Sequence, residues 1–263
     1  MKITLFSSNQ PRHINLAREL SRIAATVYFV SEVSTVFPGK MNDFYKKSDV
    51  MQEYFSNVIT AERKVFGEIT FLPINVRTLA LKSGDLNMTS KEQLADALSS
   101  DVFVVFGASY IKGWLIDFLV EKNAFNIHMG LSPYYRGSSC NFWALYDDKP
   151  AYVGATIHML SKGLDSGDML FHCVPSLEKH DTPFDFTMRS VAVAFKGLVG
   201  AIESEQIFSM SRIKQDKSRE IRYTKNSEFT DLIAREFLDR RLDLQTQDFD
   251  YPNLLNPIFS DSV

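Results

Sequence analysis

The sequence predicts an α/β fold, a mostly parallel sheet with helices on both faces, followed by a small C-terminal extension. Three observations predict it. Short apolar runs bounded by turn residues alternate with amphipathic stretches through the first half of the chain. The opening reads strand, helix, strand, a unit that implies a parallel sheet. A length of 263 residues, 45% hydrophobic and 23% charged, suits a soluble globular protein with a sizeable core.

Ile3 to Phe6 is the first strand, ending at Ser7-Ser8-Asn9, and Ile14, Ala17, Leu20 and Ile23 then recur at helical spacing. Asn9 is expected to cap this helix, and Pro11 falls near its first turn, where a missing N–H costs little. Thr26 to Val30 is the second buried strand. Between Lys40 and Phe66, the residues Phe44, Met51, Tyr54, Phe55, Val58 and Ile59 describe a long amphipathic helix with a break near Ser48-Asp49. Ile69 to Leu72 reads as a further strand. Thr89 and Glu92 have capping-box spacing ahead of Leu94, Ala97 and Leu98, so a helix precedes the strand Val102 to Phe106.

After Gly107 a loop and a short helix, Trp114 to Val120, lead to a strand ending in Asn126-Ile127-His128. Tyr152 to Met159 and Met169 to Val174 read as two later strands, and Phe184 to Ile202 as a closing helix. Beyond about Glu205 the pattern weakens into a charged stretch (Lys214 to Arg222), a helix over Thr230 to Arg241 and a Pro-containing tail. The expected organisation is a catalytic domain over residues 1–204 and a short C-terminal subdomain over 205–263.

Composition narrows the partners. With 29 Lys and Arg against 32 Asp and Glu, the net charge is −3, and no general attraction to nucleic acid or anionic membranes is expected. The 21 Phe and 10 Tyr favour flat, stacking-prone pockets. Cys140 and Cys173 form no CxxC motif and read as inert core thiols of a reducing compartment. MKITLFSS reads as a buried strand and not a signal peptide, and no window approaches a membrane span, so a cytoplasmic location is expected.

Polar residues that emerge at the end of a strand in an open α/β sheet stand where ligands bind. Asn126 and His128 do so within NIHMGLSPYYRG, followed by Ala155-Thr156-Ile157-His158 and Gly163-Leu164-Asp165-Ser166-Gly167. Singly, each has a bland reading: a histidine satisfied by a carbonyl, a turn closed by Asp-Ser-Gly. Together they resemble the formyltransferase family of glycinamide ribonucleotide, methionyl-tRNA and sugar N-formyltransferases. That family carries Asn-x-His, then Ser-Leu-Leu-Pro-x-x-(Arg/Lys)-Gly, then Thr-x-His and an Asp-x-Gly turn. Asn126 and His128 match the first, and Leu131, Ser132, Pro133, Arg136 and Gly137 approximate the second. Thr156 and His158 match the third, Asp165 and Gly167 the fourth. The departure is Met129-Gly130-Leu131-Ser132-Pro133 in place of Ser-Leu-Leu-Pro.

The resemblance implies a Rossmann-like formyltransferase fold and transfer of a formyl group from N10-formyltetrahydrofolate to an amine, with Asn126, His128 and Asp165 catalytic. The residue types suit that chemistry. The reaction passes through a tetrahedral oxyanion, which needs a hydrogen-bond donor and a group that handles the amine's proton. Asn126 offers an amide N–H, and His128 titrates near neutrality. Two apart on a strand, they point to one side. Asp165 can hold the imidazole and favour its protonated form. His158, between apolar residues, reads as packing or a contact behind the site. His13, His172 and His180 carry less information.

By resemblance, the folate lies between the Gly107 to Gly113 loop and the Asp165 turn, against Phe106, Gly107, Ala108, Tyr110, Ile111, Leu164 and Asp165. Ser8, Asn9 and Arg12, at a loop that opens a helix N-terminus, and Arg136 are the candidates for the acceptor; an exposed, solvated Arg12 is the alternative. There is no GxGxxG fingerprint, and no His, Cys or Asp cluster has metal-ligand spacing, so no metal is expected.

The tRNA-specific branch of the family carries an additional C-terminal barrel domain, for which the segment after Glu205 is too short. Arg222-Tyr223 with Glu228-Phe229-Thr230, and Val36-Phe37-Pro38-Gly39 with the Asp43 to Phe66 helix, resemble the sugar branch. The expected acceptor is a nucleotide-linked amino sugar, such as a 4-amino-4,6-dideoxyhexose of surface-glycan or pseudaminic-type acid synthesis. The rivals are a purine-pathway or methionyl-tRNA formyltransferase, a formyltetrahydrofolate hydrolase, and a non-catalytic folate- or nucleotide-binding module. A homodimer is compatible with the apolar tail.

Overall fold

The computed structural model describes residues 1–33, 47–247 and 249–260. The Val36 to Gly39 segment, Lys40 and the Asp43-Phe44 end of the expected helix lie outside the described residues. Strand β1 (Lys2–Ser8) leads into α1 (Pro11–Ile23) and β2 (Thr26–Val33), whose strands pair in parallel with Leu5 opposite Phe29. After α2 (Asp49–Phe66) come β3 (Val76–Lys82), α3 (Ala95–Leu98) and β4 (Val102–Phe106). Then follow α4 (Gly113–Glu121), β5 (Phe125–His128), β6 (Tyr135–Gly137), α5 (Cys140–Tyr146), β7 (Ala155–Met159) and β8 (Met169–Val174). The chain ends with α6 (Pro183–Glu203), β9 (Arg222–Thr224), α7 (Asp231–Asp239) and β10 (Ile258–Phe259).

The main sheet has the order β10-β8-β7-β5-β4-β1-β2-β3, and only the β5–β7 and β7–β8 pairs are antiparallel. Period-two alternation sorts its side chains onto two faces. Ile3, Leu5, Val27, Phe29, Val102 and Val104 pack on one face with Leu16 and Leu20 of α1 and Phe195 and Leu198 of α6. Phe6, Val30, Phe103 and Val105 pack on the other with Leu115 and Leu119 of α4. Helices on both faces therefore follow from the strand pattern.

Several local expectations are corrected. The residue before α1 is Gln10, not Asn9, and its side chain makes no capping bond; Glu62 Oε1 accepts the first-turn Arg12 N–H at 3.2 Å, and Pro11 occupies that same turn. The strand expected at Ile69 to Leu72 is a loop with Phe71 and Ile74 fully exposed. Pro73 ends that run, and the strand is Val76–Lys82, an edge strand whose exposed side chains hide its pattern. The capping pair before α3 is Ser90 and Gln93, which exchange backbone-to-side-chain bonds, while Thr89 Oγ1 donates to the Leu86 carbonyl. Tyr152 belongs to a short 3-10 turn ahead of β7.

The segment after residue 205 returns to the body of the fold. β10 extends the main sheet beside β8, and β9 pairs with β6, placing Thr224 opposite Gly137. Phe237 of α7 meets Phe142 and Phe184, and Tyr54 of α2 stands among Phe142, Phe184 and Phe229 at ring separations of 4.9–5.7 Å. Gly137 has a φ of +88°, and a Cβ there would sit 2.0 Å from the Thr224 carbonyl oxygen. Gly137→Ala should therefore push β9 off β6 and destabilise the fold by about 1–3 kcal/mol. An unchanged melting temperature would show that this contact does not hold the tail.

Candidate active site

Strand β5 reads FNIH, and its alternation decides the site. Phe125 and Ile127 enter the core, so Asn126 and His128 share the opposite side. Antiparallel pairing places His158 of β7 opposite Asn126 and Thr156 opposite His128. Thr156 Oγ1 donates to the Gly130 carbonyl at 2.7 Å and accepts the Ser132 N–H at 2.8 Å, which fixes the chain leaving β5. From the next loop Asp165 reaches both residues: Oδ2 lies 3.2 Å from His128 Nδ1, and Oδ1 accepts an Asn126 Nδ2 N–H at 3.2 Å. Asp165 has a φ of +44°, a left-handed conformation that costs a non-glycine residue of order 1–3 kcal/mol.

Burial sets the protonation states. Desolvation of the buried imidazole works against its charged form, but the Asp165 carboxylate overcomes it and, with the Cys140 sulfur, holds the His128 pKa well above the ordinary value. Burial likewise opposes the Asp165 charge, yet His128 outweighs it and lowers that pKa to about 2. The resting pair is imidazolium and carboxylate. His128 is thus a proton donor at neutral pH, in contrast to the near-neutral titration its residue type suggests.

His158 goes the other way. Burial lowers its pKa to about 4, so it is neutral. Its Nδ1 donates to the Met159 carbonyl at 2.8 Å, which leaves Nε2 to accept an Asn126 Nδ2 N–H at 3.0 Å. That bond fixes the orientation of the Asn126 amide. The bond to Asp165 is the longer of the two.

Two cavities meet here. One, about 290 Å³, is lined by Asn126, His128, His158 and the whole folate set expected from sequence: Phe106, Gly107, Ala108, Tyr110, Ile111, Leu164 and Asp165. The other, about 1150 Å³, runs past Ser8, Gln10, Arg12 and His13 to Tyr54 and Phe142, and then to Asn226, Phe229 and Phe237 of the tail. Gly107, Ala108, Ser109, His128 and Met129 line both.

The acceptor candidates separate. Ser8 and Arg12 line the larger cleft, with Ser8 Oγ donating to the Glu32 carbonyl and Arg12 Nη1 2.6 Å from the buried Glu62 carboxylate. Arg12 is therefore neither a loose surface residue nor an uncommitted charge. Asn9 and Arg136 line neither cavity. Arg136 is turned to Glu220 at 2.9 Å and to the Tyr223 ring.

Three residues here escaped the sequence reading. Cys140, expected as an inert core thiol, lines the cleft with Sγ 3.6 Å from His128 Nε2, whereas burial alone raises the Cys173 pKa. Glu32 is buried at the end of β2 and accepts the Ser109 N–H, the Ser109 hydroxyl and the Gly84 N–H, which pins the loop between the cavities. A charge inside the apolar run TVYFVSEV was its one signal. Gln215 donates to the backbone of the Asp165 turn from far along the chain, and no local pattern announces it.

Among the described residues no group of three His, Cys, Asp or Glu is placed to hold a metal ion, and no helix is long and apolar enough to cross a membrane. Asp165→Asn preserves shape and removes the charge that raises the His128 pKa. Burial then dominates, and His128 should titrate below the ordinary histidine range instead of well above it. Histidine NMR titration reads this directly, and an unmoved His128 would show that the two groups are not coupled. The sign for stability follows. The pair contributes from above the ordinary carboxylate range up to the raised His128 pKa, and the contribution is lost as pH rises through that value or falls through about 2.

The chain is similar to several known proteins. The methionyl-tRNA formyltransferase of Anaeromyxobacter sp. (strain K) is 28% identical over 123 residues, 47% of this chain and 39% of that protein. The match thus spans about two fifths of the curated relative. A sugar N-formyltransferase structure from Shewanella sp. FDAARGOS_354 superposes with a TM-score of 0.54 at 17% identity, covering 100% of this chain and 94% of the other. An N-formyltransferase from Helicobacter canadensis, in complex with folinic acid and dTDP-3-aminofucose, superposes with a TM-score of 0.51 at 14% identity, covering 88% and 73%. The formyl transferase family profile matches residues 7–202, which include both cavity-lining strand ends and the Asp165 turn, and the chain belongs to that family.

Proposed function

We propose that the protein transfers a formyl group from N10-formyltetrahydrofolate to the amine of a nucleotide-linked amino sugar, with Asn126, His128 and Asp165 as its catalytic residues. One observation carries the reading: a small cavity and a large cleft that meet at His128, beside Asn126 and Asp165. Two substrates held on either side of that wall would bring a formyl carbon and an amine together, which is the main task of a bimolecular transfer. The pteridine belongs in the smaller cavity, between the Gly107 loop and the Asp165 turn. The Helicobacter canadensis structure, in complex with folinic acid, supports a folate as one substrate.

The chain's own groups supply the rest. As the amine attacks, charge develops on the formyl oxygen, and the imidazolium of His128 with an Asn126 N–H stabilises it. An imidazolium cannot accept the amine's proton. That proton passes to the Asp165 carboxylate, directly or over one water, and then to the leaving nitrogen. Ser8 at the end of β1 and Arg12 in the first turn of α1, its charge paired with Glu62, line the larger cleft and are the acceptor-side polar groups of the sequence reading that reach it.

A nucleotide-linked sugar suits the cleft because its walls are aromatic and its volume exceeds what a bare amino sugar needs. Residues 1–204 act as the catalytic domain and 205–263 as a short subdomain that completes the cleft. The Shewanella likeness covers that tail as well. The most specific form of the reading is a 4-amino-4,6-dideoxyhexose as the acceptor.

Alanine at Asn126, His128 or Asp165 should leave the protein folded and lower turnover by roughly 10²–10³. Turnover within a few-fold of the parent removes that residue from the catalytic set. A panel of nucleotide-linked amino sugars, methionyl-tRNA and glycinamide ribonucleotide, each with N10-formyltetrahydrofolate, tests the acceptor by mass spectrometry. Efficient formylation of either of the last two, with no sugar in the panel modified, refutes the sugar reading and keeps the chemistry.

A further inference from the structure

Asp165 serves both His128 and Asn126 only while its turn keeps a left-handed backbone. One side of that turn is held by close approach: a Cβ on Gly167 would lie 1.7 Å from the Met159 carbonyl oxygen, so no side chain fits there. The other side is held by Gln215. Its Nε2 donates one N–H to the Asp165 carbonyl at 2.8 Å and one to the Gly167 carbonyl at 2.9 Å. Two carbonyls on one amide fix its orientation, since the flipped amide would set Oε1 against both. Oε1 is consequently left buried and without a partner among the described residues.

The backbone around Gln215 is itself anchored. Ile213 exchanges both backbone hydrogen bonds with Met169 at the start of β8, at 2.8 and 2.9 Å, and Gln215 stands two residues on. Gln215 lines neither cavity, so it meets neither substrate in the proposed reaction. It lies beyond residue 202, where the family match ends.

We propose that Gln215 is a positioning residue for the transfer reaction: it locks the Asp165 to Gly167 turn from the C-terminal segment and so keeps the Asp165 carboxylate on His128 and Asn126. This rests on Asp165 being the catalytic carboxylate. Gln215→Leu removes both donors at similar volume, while Gln215→Asn keeps the amide one methylene too short to span both carbonyls. The titratable groups facing His128 are Asp165, Cys140 and, more distantly, the His158 ring; its Nε2 also lies 3.3 Å from the Tyr135 carbonyl oxygen, and of these Gln215 acts on Asp165 alone.

The free protein is titrated by histidine NMR, and steady-state kinetics are measured with N10-formyltetrahydrofolate and the acceptor identified by the panel. In Gln215→Leu, His128 should titrate lower than in the parent and kcat should fall about ten- to a hundred-fold with both KM values little changed. Gln215→Asn should fall between, and adding Gln215→Leu to Asp165→Asn should cost nothing more. A cooperatively folded Gln215→Leu protein with parental His128 titration and kcat overturns the proposal. So does a full additional loss in the Asp165→Asn background, or a loss confined to KM. If Gln215→Leu does not fold, the same comparisons made on Gln215→Asn decide the matter. The titration needs no substrate, so a parent protein inactive with every acceptor would refute the transferase reading while the effect on His128 still judged Gln215.

Discussion

A carboxylate held against a buried imidazole is the constraint on which the rest of the site depends. Without Asp165, desolvation would leave His128 neutral, as it leaves His158. One loop side chain therefore determines that two histidines on adjacent strands carry different charges. The neutral one orients an amide, and the charged one faces the cavities. The antiparallel β5–β7 pair makes this division possible, because it sets His158 beside Asn126 and leaves His128 free for the loop.

The surrounding fold keeps this ion pair from dissolving into solvent. His128 is buried, and the sheet supplies its backing through Ile127 and Phe125 in the core. A buried ion pair loses much of its Coulombic gain to desolvation, so its persistence depends on hydrogen bonds from neighbours. Asn126 supplies one to Asp165, and Gln215 holds the backbone behind it. Glu32 does comparable work on the opposite wall, where two accepted bonds from Ser109 fix the Gly107 to Gly113 loop and a third, from the Gly84 N–H, ties it to the turn after β3. Both walls are thus set by polar side chains, of which Gln215 lines neither cavity and Glu32 also lines the larger cleft.

What was legible in the sequence follows from the range of the interactions. Strands β1, β2, β4 and β8 announce themselves through buried, mostly apolar runs, and Asn126 with His128 through their two-residue spacing at a strand end. The edge strand Val76–Lys82 did not, because pairing with β2 alone leaves its side chains exposed and its pattern flat. Caps were misplaced by one residue at α1 and α3, within the ordinary uncertainty of element ends. Gln215 and Glu32 were silent for a different reason. Their partners lie 50 and 77 residues away, and a lone polar residue gives no local hint of such a bond.

The aromatic excess, read from composition only as a tendency toward stacking, has a definite location. Tyr54 of α2, Phe142 of α5, Phe184 of α6 and Phe229 and Phe237 of the tail form one edge-to-face cluster along the larger cleft. These rings come from four separate stretches of chain, so the wall exists only when the tail is docked. Rings in such a cluster brace one another through their quadrupoles and present flat apolar surface to the cleft. The wall at His128 comes instead from strand ends and short loops of the sheet. The protein thus combines a polar, sheet-based end with an aromatic, helix-based end that the C-terminal segment completes. In the proposed reaction, binding energy gathered at the second end can position an amine at the first.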